Sequence, residues 1–280
     1  MGKREKTTYF DKILADIKSI KIQGAENIAR AGIKAFLLKP NKKSAKKILA
    51  VRPTEPLLQN AIKILLKSIN PPITAMKFLS HLKKSHETIE KRGAQLIKKD
   101  MNIYTHCHSS TVIDILKYAK KKQKKNFVVY TTEVEPLLQG HQTANDLAKA
   151  NIKVIVAPDL AAEQSLKKCD LFLFGADAFT KSIAVNKIGT STLVKLAKLH
   201  KIPRYSCGVS LKFTKKTKIE WRSPKEVWDE RIKKIEVINP AFDKTKLKKL
   251  SGVISEFGIL TPKQFVKLAK EKVKRLEYLI

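Results

Sequence analysis

Several features are scarce in this chain of 280 residues, and each scarcity narrows the class of protein. Its three cysteines lie far apart and form no Cys-x-x-Cys pair, which excludes a disulfide framework and indicates a reducing, cytoplasmic compartment. No apolar run reaches the roughly 18 residues of a membrane-spanning helix, so we expect no membrane partner. Neither a Gly-x-Gly-x-x-Gly fingerprint nor a Walker loop occurs, and the sequence therefore indicates no nucleotide cofactor.

Arginine is also scarce, although the chain is strongly basic. Lys and Arg total 58 against 25 Asp and Glu, a net charge of +33, yet only eight of the basic residues are arginine. Such a charge is typical of proteins that bind nucleic acid or anionic surfaces. The lysines, however, are spread along the whole chain and lack the planar fork with which arginine reads phosphate and guanine. We interpret them as solvated surface and expect no specific nucleic-acid partner; salt-sensitive RNA binding remains a third hypothesis.

The periodicity of apolar residues changes near residue 98. Before this point apolar residues recur at helical spacing, and after it short β-rich runs alternate with helical patterns. With 43% hydrophobic residues, the chain is long enough for one large or two small domains. We therefore predict an all-helical N-terminal domain over residues 1–98 and an α/β domain that carries the site over residues 99–280.

Proline and lysine positions give local predictions within this frame. Arg52-Pro53-Thr54-Glu55-Pro56 is typical of a helix start, with Thr54 as the N-cap. Pro71 and Pro72 are expected to end that helix, and the next helix is predicted over residues 76–97. The lysine runs at residues 42–47 and 120–125 are interpreted as solvated connections.

Five strands are predicted after residue 100, each followed or preceded by a helical stretch. Strands that alternate with helices indicate a parallel sheet covered on both faces, and in such sheets ligands bind beyond the carboxyl ends of the strands. The tail beyond Thr214 is less regular, and residues 239–243 are interpreted as a turn-forming loop. The predicted strands cover residues 101–105, 127–131, 154–157, 171–174 and 204–207.

The first strand runs into Thr105-His106-Cys107-His108-Ser109-Ser110-Thr111 before a helix. A cysteine at such a turn faces the positive end of the helix, which lowers the pKa of a thiol, and the following N–H and hydroxyl groups suit an anion. The alternative is a half-buried cysteine with Ser110 or Thr111 as a plain N-cap. A zinc site is the weakest interpretation, because adjacent residues of an extended chain point to opposite faces and no remote ligand pair is present.

Other reactive groups follow the later strands. Gly175-Ala176-Asp177 places a carboxylate after the fourth strand, either as a cap or as a general acid or base. Asn186-Lys187-Ile188-Gly189-Thr190 offers an amide, a cation and a glycine before a helix, and Lys212 follows the fifth strand. One rim thus gathers a thiol, a carboxylate, lysines and hydroxyls, which suits proton transfer on an anionic substrate.

These residues, in this order, resemble one superfamily: the ribose-1,5-bisphosphate isomerases, the methylthioribose-1-phosphate isomerases, and the α, β and δ regulatory subunits of translation initiation factor 2B. The resemblance covers most of the chain, and several motifs in register make it specific. The matching segments are Gly24-Ala25, Arg52-Pro53-Thr54-Glu55-Pro56, Thr105-His106-Cys107-His108-Ser109-Ser110, Gly175-Ala176-Asp177, Asn186-Lys187-Ile188-Gly189-Thr190, Lys212-Phe213, Asn239-Pro240-Ala241-Phe242-Asp243 and Glu256-x-Gly258.

The resemblance implies a helical domain followed by a Rossmann-like α/β domain, and an enzyme that needs no cofactor and no metal. Isomerases of this superfamily carry the cysteine and the aspartate that regulatory subunits lack, and here these are Cys107 and Asp177, the implied catalytic pair. The version of the motifs is most similar to isomerases that convert ribose 1,5-bisphosphate to ribulose 1,5-bisphosphate in nucleoside-phosphate salvage. The implied substrate-binding residues are Gly24, Ala25, Arg52, Ser109, Ser110, Thr111, Gln139, Asn186, Lys187 and Lys212.

Several departures from the superfamily pattern keep a second function open, among them Leu160 in place of a serine and Val209-Ser210-Leu211 before Lys212. Four others bear on charge. Gln23, Glu135 and His141 stand where arginines are usual, and Glu26 replaces a glycine. A carboxylate about 4 Å from a phosphate charge costs roughly 4 kcal/mol at an effective dielectric constant of about 20. The alternative is a non-catalytic subunit with initiation factor 2 as its partner, or a sensor of a sugar phosphate or nucleotide. In either case the superfamily implies a homo-oligomer, a dimer or a hexamer.

Overall fold

Five helices precede the first strand in a computed structural model of the chain, which describes residues 3–276. Each helix of this part buries an apolar stripe at helical spacing, such as Phe10, Ile13 and Ile17 on the first. None of the described helices is long and apolar enough to cross a membrane. The helices are α1 (Lys3–Lys18), α2 (Ala25–Leu38), α3 (Lys42–Val51), α4 (Pro56–Lys67) and α5 (Pro71–Ala94).

The prediction of a connection at residues 42–47 is wrong, because this lysine run begins helix α3. Asn41 caps it by accepting a hydrogen bond from the Ser44 amide at 2.9 Å. Lysine has a good helix propensity, and Ala45 and Ile48 provide the buried face. The second run, residues 120–125, is divided, because the helix that contains its first residues ends at Lys121.

Two predicted helix boundaries are also corrected. Pro71 and Pro72 begin α5 instead of ending α4, because proline is tolerated in the first turn, where Asn70 caps the helix. Thr54 is not an N-cap. The N-cap position belongs to Glu55, which makes no side-chain capping bond, and the Thr54 hydroxyl instead donates to Glu220 Oε2 at 3.1 Å.

The second part of the chain forms two sheets. The larger has seven strands in the order β10-β9-β7-β4-β1-β2-β3, and all neighbours are parallel except β9 and β10. The smaller is antiparallel in the order β5-β6-β8. The strands are β1 (Met101–His106), β2 (Phe127–Thr132), β3 (Lys153–Ala157), β4 (Leu171–Gly175), β5 (Ala178–Phe179), β6 (Ile183–Lys187), β7 (Arg204–Cys207), β8 (Phe242–Lys246), β9 (Gly252–Ser255) and β10 (Gly258–Leu260).

Helices cover both faces of the larger sheet. Alternate strand residues point to opposite faces, so that Ile103 of β1 joins the apolar cluster of the N-terminal helices while Tyr104 joins the cluster on the other side. The predicted α/β fold with a parallel sheet is confirmed. The remaining helices are α6 (Ser110–Lys121), α7 (Gln139–Ala148), α8 (Ala162–Leu166), α9 (Thr190–Leu199) and α10 (Pro262–Lys274).

The division into two domains stays a prediction. One apolar cluster runs from α1 through α5 to the sheet, where it includes Ile103 and Leu173, so the helices and the sheet share a core. The outermost residues of the predicted domains, 1–2 and 277–280, lie outside the described part of the chain.

The region beyond Thr214 is only partly irregular. Residues 215–241 contain short turns and one isolated bridge, between Trp221 and Pro240, but β8, β9, β10 and α10 follow. The prediction of a turn-forming loop over residues 239–243 is wrong in its second half, because β8 begins at Phe242. Strand β9 pairs with β7 through Cys207 and Ile254 and extends the sheet. Its four residues, Gly252–Ser255, are too few to show a period in the sequence.

Gly140 lets the start of α7 pack directly on the end of β2. Its amide donates to Glu133 O at 2.9 Å, and a Cβ atom at this position would lie 1.7 Å from Thr132 O. We expect Gly140→Ala to lower the free energy of unfolding by about 1–3 kcal/mol or more, because backbone must move to admit the methyl group. Urea denaturation measures this, and exposed His141→Ala on the same helix should stay within about 0.5 kcal/mol. An equal decrease in the free energy of unfolding in the two variants would contradict the close packing of Gly140 on β2.

Candidate active site

The order of the strands brings Cys107 and Asp177 to neighbouring positions. Strand β1 pairs with β4, with Thr105 opposite Leu173 and His106 opposite Phe174. The chain continues from β1 to β2 on one side, whereas β4 lies on the other. Such a reversal of strand order opens a crevice at the carboxyl ends of the strands, where α/β proteins bind ligands. Cys107 directly follows the end of β1, and Asp177 lies two residues beyond the end of β4.

A single cavity at this edge is lined by every residue that the sequence predicts for the site. Its walls come from both parts of the chain, because the start of α2 and the turn before α4 lie opposite the strand ends. The structure therefore brings the predicted set together, and the roles of its members stay predictions. These residues are Gly24, Ala25, Arg52, Cys107, Ser109, Ser110, Thr111, Gln139, Asp177, Asn186, Lys187 and Lys212.

Cys107 occupies a strained turn between β1 and α6. Its φ of 65° lies in the left-handed region, which non-glycine residues rarely adopt and which is enriched at functional sites. The predicted lowering of its pKa is wrong. Burial raises the pKa of the Cys107 thiol to about 12, Lys187 acts in the opposite direction, and the charge of Asp177 adds to the rise. The loss of hydration raises the pKa of the thiol by more than the positive end of α6 lowers it.

The two histidines beside Cys107 hold the turn in place. His106 Nε2 lies 2.9 Å from Ile188 O, and burial lowers the pKa of His106 to about 4. His108 Nδ1 lies 3.2 Å from the Thr143 hydroxyl, which donates to Cys107 O at 2.8 Å. Ser109, and neither Ser110 nor Thr111, caps α6 through its side chain. Across residues 3–276 no cluster of three or more His, Cys, Asp or Glu side chains is arranged to hold a metal ion.

Asp177 is held by backbone and amide groups. Its own amide donates to Val185 O at 2.9 Å, and the Asn186 amide, in the orientation that satisfies both of its ends, donates to Asp177 Oδ2 at 3.3 Å. Burial raises the pKa of the Asp177 carboxyl, while the charges of Lys212 and Arg52 oppose the rise. A carboxyl group in this setting keeps its proton to a higher pH than usual and is suited to act as a general acid.

Three of the cations that line the cavity are buried. The buried Lys212 ammonium donates to Ala176 O at 2.6 Å, which places its charge beside Asp177. Lys187 is also buried, and burial lowers the pKa of its ammonium group. Arg52 Nη1 donates to Glu220 Oε1 at 3.1 Å. Buried cations form charge-assisted hydrogen bonds with phosphate groups, so this part of the cavity wall suits a phosphorylated ligand.

The sequence did not single out Glu55, Glu220 and Arg222 as site residues. Glu55 and Arg222 line the cavity, and Glu220 accepts hydrogen bonds from Arg52 and Thr54. Glu220 and Arg222 belong to residues 215–241, whose sequence has no periodic pattern, and Glu220 lies 168 positions from its partner Arg52. Glu55 belongs to the motif at residues 52–56, which was interpreted as a helix start and not as a source of a site carboxylate.

Of the four departures that bear on charge, two line the cavity and two lie outside it. Gln23 and Glu26 line the cavity. Glu26 is paired with Arg30 at 2.6 Å and with His86 at 2.7 Å; burial acts to raise its pKa, but these partners lower it to about 2. Glu135 and His141 lie outside the lining, and His141 faces Glu133 at 3.6 Å. Of the four, only Glu26 therefore brings a carboxylate to the cavity wall, where Arg30 and His86 pair with it.

Comparison with known proteins identifies the family of this chain. The model of the initiation factor 2 subunit family matches residues 21–262. The chain belongs to this family. It is 34% identical over 276 residues to the ribose 1,5-bisphosphate isomerase of Methanocaldococcus jannaschii, with 88% of this chain and 89% of that protein covered. It is 33% identical to the enzyme of the same name from Thermococcus kodakarensis, with 93% and 94% covered.

Solved structures of family members have the same fold. A structure of Pyrococcus horikoshii translation initiation factor eIF-2B matches with a TM-score of 0.83 and 28% identity, and covers 92% of this chain and 98% of that one. The P. horikoshii 5-methylthioribose 1-phosphate isomerase matches with a TM-score of 0.77, 24% identity and coverage of 94% and 87%, a similarity of fold. The resemblance predicted from the motifs is thus confirmed at the level of the family.

Proposed function

We propose that the chain is an aldose–ketose isomerase that converts ribose 1,5-bisphosphate to ribulose 1,5-bisphosphate. The main support for the proposal is that Cys107 and Asp177 lie at the ends of neighbouring strands, in a cavity that Lys187 and Lys212 also line. The thiol and the carboxyl supply a base and an acid, and the lysines supply positive charge for phosphate. Isomerase relatives at 30–34% identity over most of the chain support the choice of substrate.

The proposed reaction consists of balanced proton transfers. Protonated Asp177 gives its proton to the ring oxygen, and the bond from that oxygen to C1 breaks. Cys107 thiolate takes the proton from C2, and the electron pair of that C–H bond forms the C1=C2 double bond of a cis-enol phosphate. The Cys107 thiol returns a proton to C1 while the Asp177 carboxylate takes the proton of the C2 hydroxyl, which becomes the ketone. Both residues end in their starting states.

The function is tested by substrate conversion. Purified protein incubated with ribose 1,5-bisphosphate should form ribulose 1,5-bisphosphate, which phosphorus NMR follows directly. Ribose 1-phosphate is the matched substrate without the second phosphate and should react with a lower kcat/KM. Absence of turnover on every sugar 1-phosphate offered would contradict the proposed function.

Lys187 is expected to hold a phosphate of the substrate. Loss of a charge-assisted hydrogen bond costs about 1.5–3 kcal/mol, so Lys187→Met should lower kcat/KM by about 10- to 100-fold. Lys181→Met is the control, because Lys181 is exposed on the turn between β5 and β6 and does not line the cavity. Steady-state kinetics on ribose 1,5-bisphosphate compares the two variants. A similar small effect in both would show that Lys187 does not bind the substrate.

Gln23 and Glu26 favour a second candidate, a non-catalytic subunit similar to the regulatory subunits of translation initiation factor 2B. Glu26 places a carboxylate at the start of α2, where an anionic ligand would otherwise meet the positive end of the helix. Co-purification with initiation factor 2, together with no isomerase activity, would favour this candidate over the enzyme.

We also propose that the protein acts in the cytoplasm as a homo-oligomer, either a dimer or a hexamer. Residues 215–241 expose Trp221, Trp228 and Ile238, apolar surface of the kind that assembly buries. Light scattering at several protein concentrations should give a multiple of the chain mass. A monomer at every concentration would contradict this assembly.

A further inference from the structure

Arg222 is a cation of the cavity wall to which the proposed reaction assigns no role. It lines the same cavity as Cys107 and Asp177, and only 9% of its side-chain surface is exposed. Its Nε atom donates to Glu226 Oε2 at 2.7 Å, and its Nη2 atom donates to Glu226 Oε1. A guanidinium group has five N–H donors. Among the residues that the structure describes, the other three have no hydrogen-bond partner, because the remaining ionic contact, of Nη1 with Glu220 Oε1, spans 3.9 Å.

The backbone holds Arg222 close to the strand that carries Lys187. The Ala241 amide donates to Glu220 O at 2.9 Å, and Ala241 O accepts a hydrogen bond from the Ile188 amide at 3.1 Å. The Ala241 backbone therefore joins the segment of Arg222 to the end of β6, where Lys187 is the last residue. Both cations line the cavity, so two positive side chains enter it from adjoining segments of backbone.

Arg52, on the opposite part of the chain, also has unused donors. Its Nη1 atom donates to Glu220 Oε1 at 3.1 Å, whereas its Nη2 atom reaches Glu55 Oε1 only at 3.5 Å. Its Nε atom is buried and has no hydrogen-bond partner among the described residues. Buried donors without partners are costly. An anionic group that enters the cavity between Arg52 and Arg222 would supply acceptors to both guanidinium groups.

The carboxylates that contact Arg222 leave its cavity side free. Glu226 and Glu220 do not line the cavity, so each contacts the guanidinium group from outside the lining. Glu226 is itself fixed, because Asn239 Nδ2 donates to Glu226 Oε2 at 3.0 Å and to Ser223 O at 2.9 Å. Since one edge of the Arg222 fork is already held, little further side-chain freedom is lost when its free donors meet a ligand.

We propose that Arg222 binds a phosphate group of the substrate together with Arg52, and that Glu226 positions the Arg222 guanidinium group for this contact. The inference rests on the proposed function for the identity of the ligand, a sugar that carries two phosphate groups. Gln23 lines the cavity where an arginine is usual in the superfamily, and Arg222 brings a guanidinium group to the same cavity from another part of the chain.

Arg222→Gln tests the proposal, because it removes the guanidinium group and leaves a neutral polar side chain. Isothermal titration calorimetry measures binding, with ribulose 1,5-bisphosphate, the product of the proposed reaction, as the probe. We expect Kd to rise by about 10- to 100-fold, the effect of losing charge-assisted hydrogen bonds. Arg222→Lys keeps the charge but not the fork, so it should weaken binding by less. Arg231→Gln is the matched control and should bind as the wild type does, because Arg231 is exposed on the same segment and does not line the cavity.

Steady-state kinetics on ribose 1,5-bisphosphate distinguishes a contact with the ligand from support of the fold. A phosphate contact that is the same in the ground state and the transition state affects KM and leaves kcat unchanged. We therefore expect Arg222→Gln to raise KM and to keep kcat close to that of the wild type. A loss of kcat at unchanged KM would show that Arg222 supports the site without holding a phosphate group.

Binding and turnover together separate this inference from the proposed function. A wild type that binds ribulose 1,5-bisphosphate without isomerising ribose 1,5-bisphosphate, and whose binding is weakened in Arg222→Gln, supports the inference while the proposed function fails. Equal Kd values in the wild type and Arg222→Gln overturn the inference even if the wild type is an isomerase, and so does a wild type that does not bind the probe. If urea denaturation shows that Arg222→Gln does not fold, Arg222→Lys decides, and an unchanged Kd in that variant overturns the inference.

Discussion

Cys107→Ser should lower kcat for ribose 1,5-bisphosphate by about 10²–10⁴-fold, the range that a general base typically contributes. Serine keeps nearly the same size in the strained turn, but its hydroxyl does not ionise in the accessible pH range, so C2 would lose its base. Steady-state kinetics with measured enzyme concentrations gives this loss. Binding should change little, because the neighbouring backbone and the lysines are unaltered, and KM should stay within a few-fold.

The matched control for this change is Cys169→Ser. Cys169 is buried, whereas Cys107 is half-buried. Cys169 donates to Ser165 O at 3.3 Å on the far side of the larger sheet and does not line the cavity. A serine there can make the same hydrogen bond, and kcat should remain close to that of the wild type. A loss of kcat in Cys169→Ser as large as in Cys107→Ser would attribute the effect to general destabilisation, and full activity of Cys107→Ser would remove Cys107 from the mechanism.

The second large effect is expected for Asp177→Asn. The amide is isosteric with the carboxyl and fits beside Asn186 and Lys212, but it has no acidic proton to give to the ring oxygen. We expect kcat to fall by about 10²–10⁴-fold on ribose 1,5-bisphosphate. The fall in kcat should be smaller on an open-chain aldose phosphate, because that substrate has no ring to open. This difference between substrates is the feature that a structural role for Asp177 does not predict.

Asp170→Asn is the control for Asp177→Asn, because Asp170 precedes the same strand at its opposite end. There its Oδ2 atom accepts a hydrogen bond from the Asn102 amide at 2.8 Å, far from the cavity lining. The variant should retain kcat. If Asp170→Asn loses as much activity as Asp177→Asn, the loss in Asp177→Asn does not show that its carboxyl acts as the general acid.

The pKa directions of the pair also define the pH profile. Burial raises the pKa of the Cys107 thiol to about 12 and also raises the pKa of the Asp177 carboxyl, which we expect to titrate before the thiol. The reactive form, with thiolate and protonated carboxyl, therefore increases with pH until Asp177 titrates, remains constant above that point, and declines only as the pH passes the pKa of the thiol. It is a minor form throughout, so a change that lowers the thiol pKa should raise the whole plateau.

Much of the fold could be predicted because its strands are short apolar runs between helices. Strand β7 is predicted to the residue, and β1, β2, β3 and β4 differ from their predictions by one residue at an end. Buried parallel strands have such continuous apolar runs, which are easy to detect in a sequence. The lysine run at the start of α3 was misinterpreted because its composition suggested a loop, whereas Ala45 and Ile48 supply a buried face.

The composition of the site could be predicted, but its electrostatics could not. The motifs identify Cys107 and Asp177, but these residues become neighbours only because β1 pairs with β4. Local sequence patterns do not reveal the order of strands in a sheet. The thiol pKa was predicted with the wrong sign, because a strand-to-helix turn does not reveal how deeply the side chain is buried. Glu220 could not be found either, since its contact with Arg52 joins residues that are 168 positions apart.

The most direct test of the account is the conversion of ribose 1,5-bisphosphate in heavy water, followed by phosphorus and proton NMR. We expect the wild type to form ribulose 1,5-bisphosphate with solvent deuterium at C1, because the proton taken by Cys107 exchanges with solvent before it returns. The Cys107→Ser and Asp177→Asn variants should each form the product at least about 100-fold more slowly. No conversion by the wild type, or conversion by either variant at the wild-type rate, would contradict the assignment of this pair as the base and the acid of an isomerase.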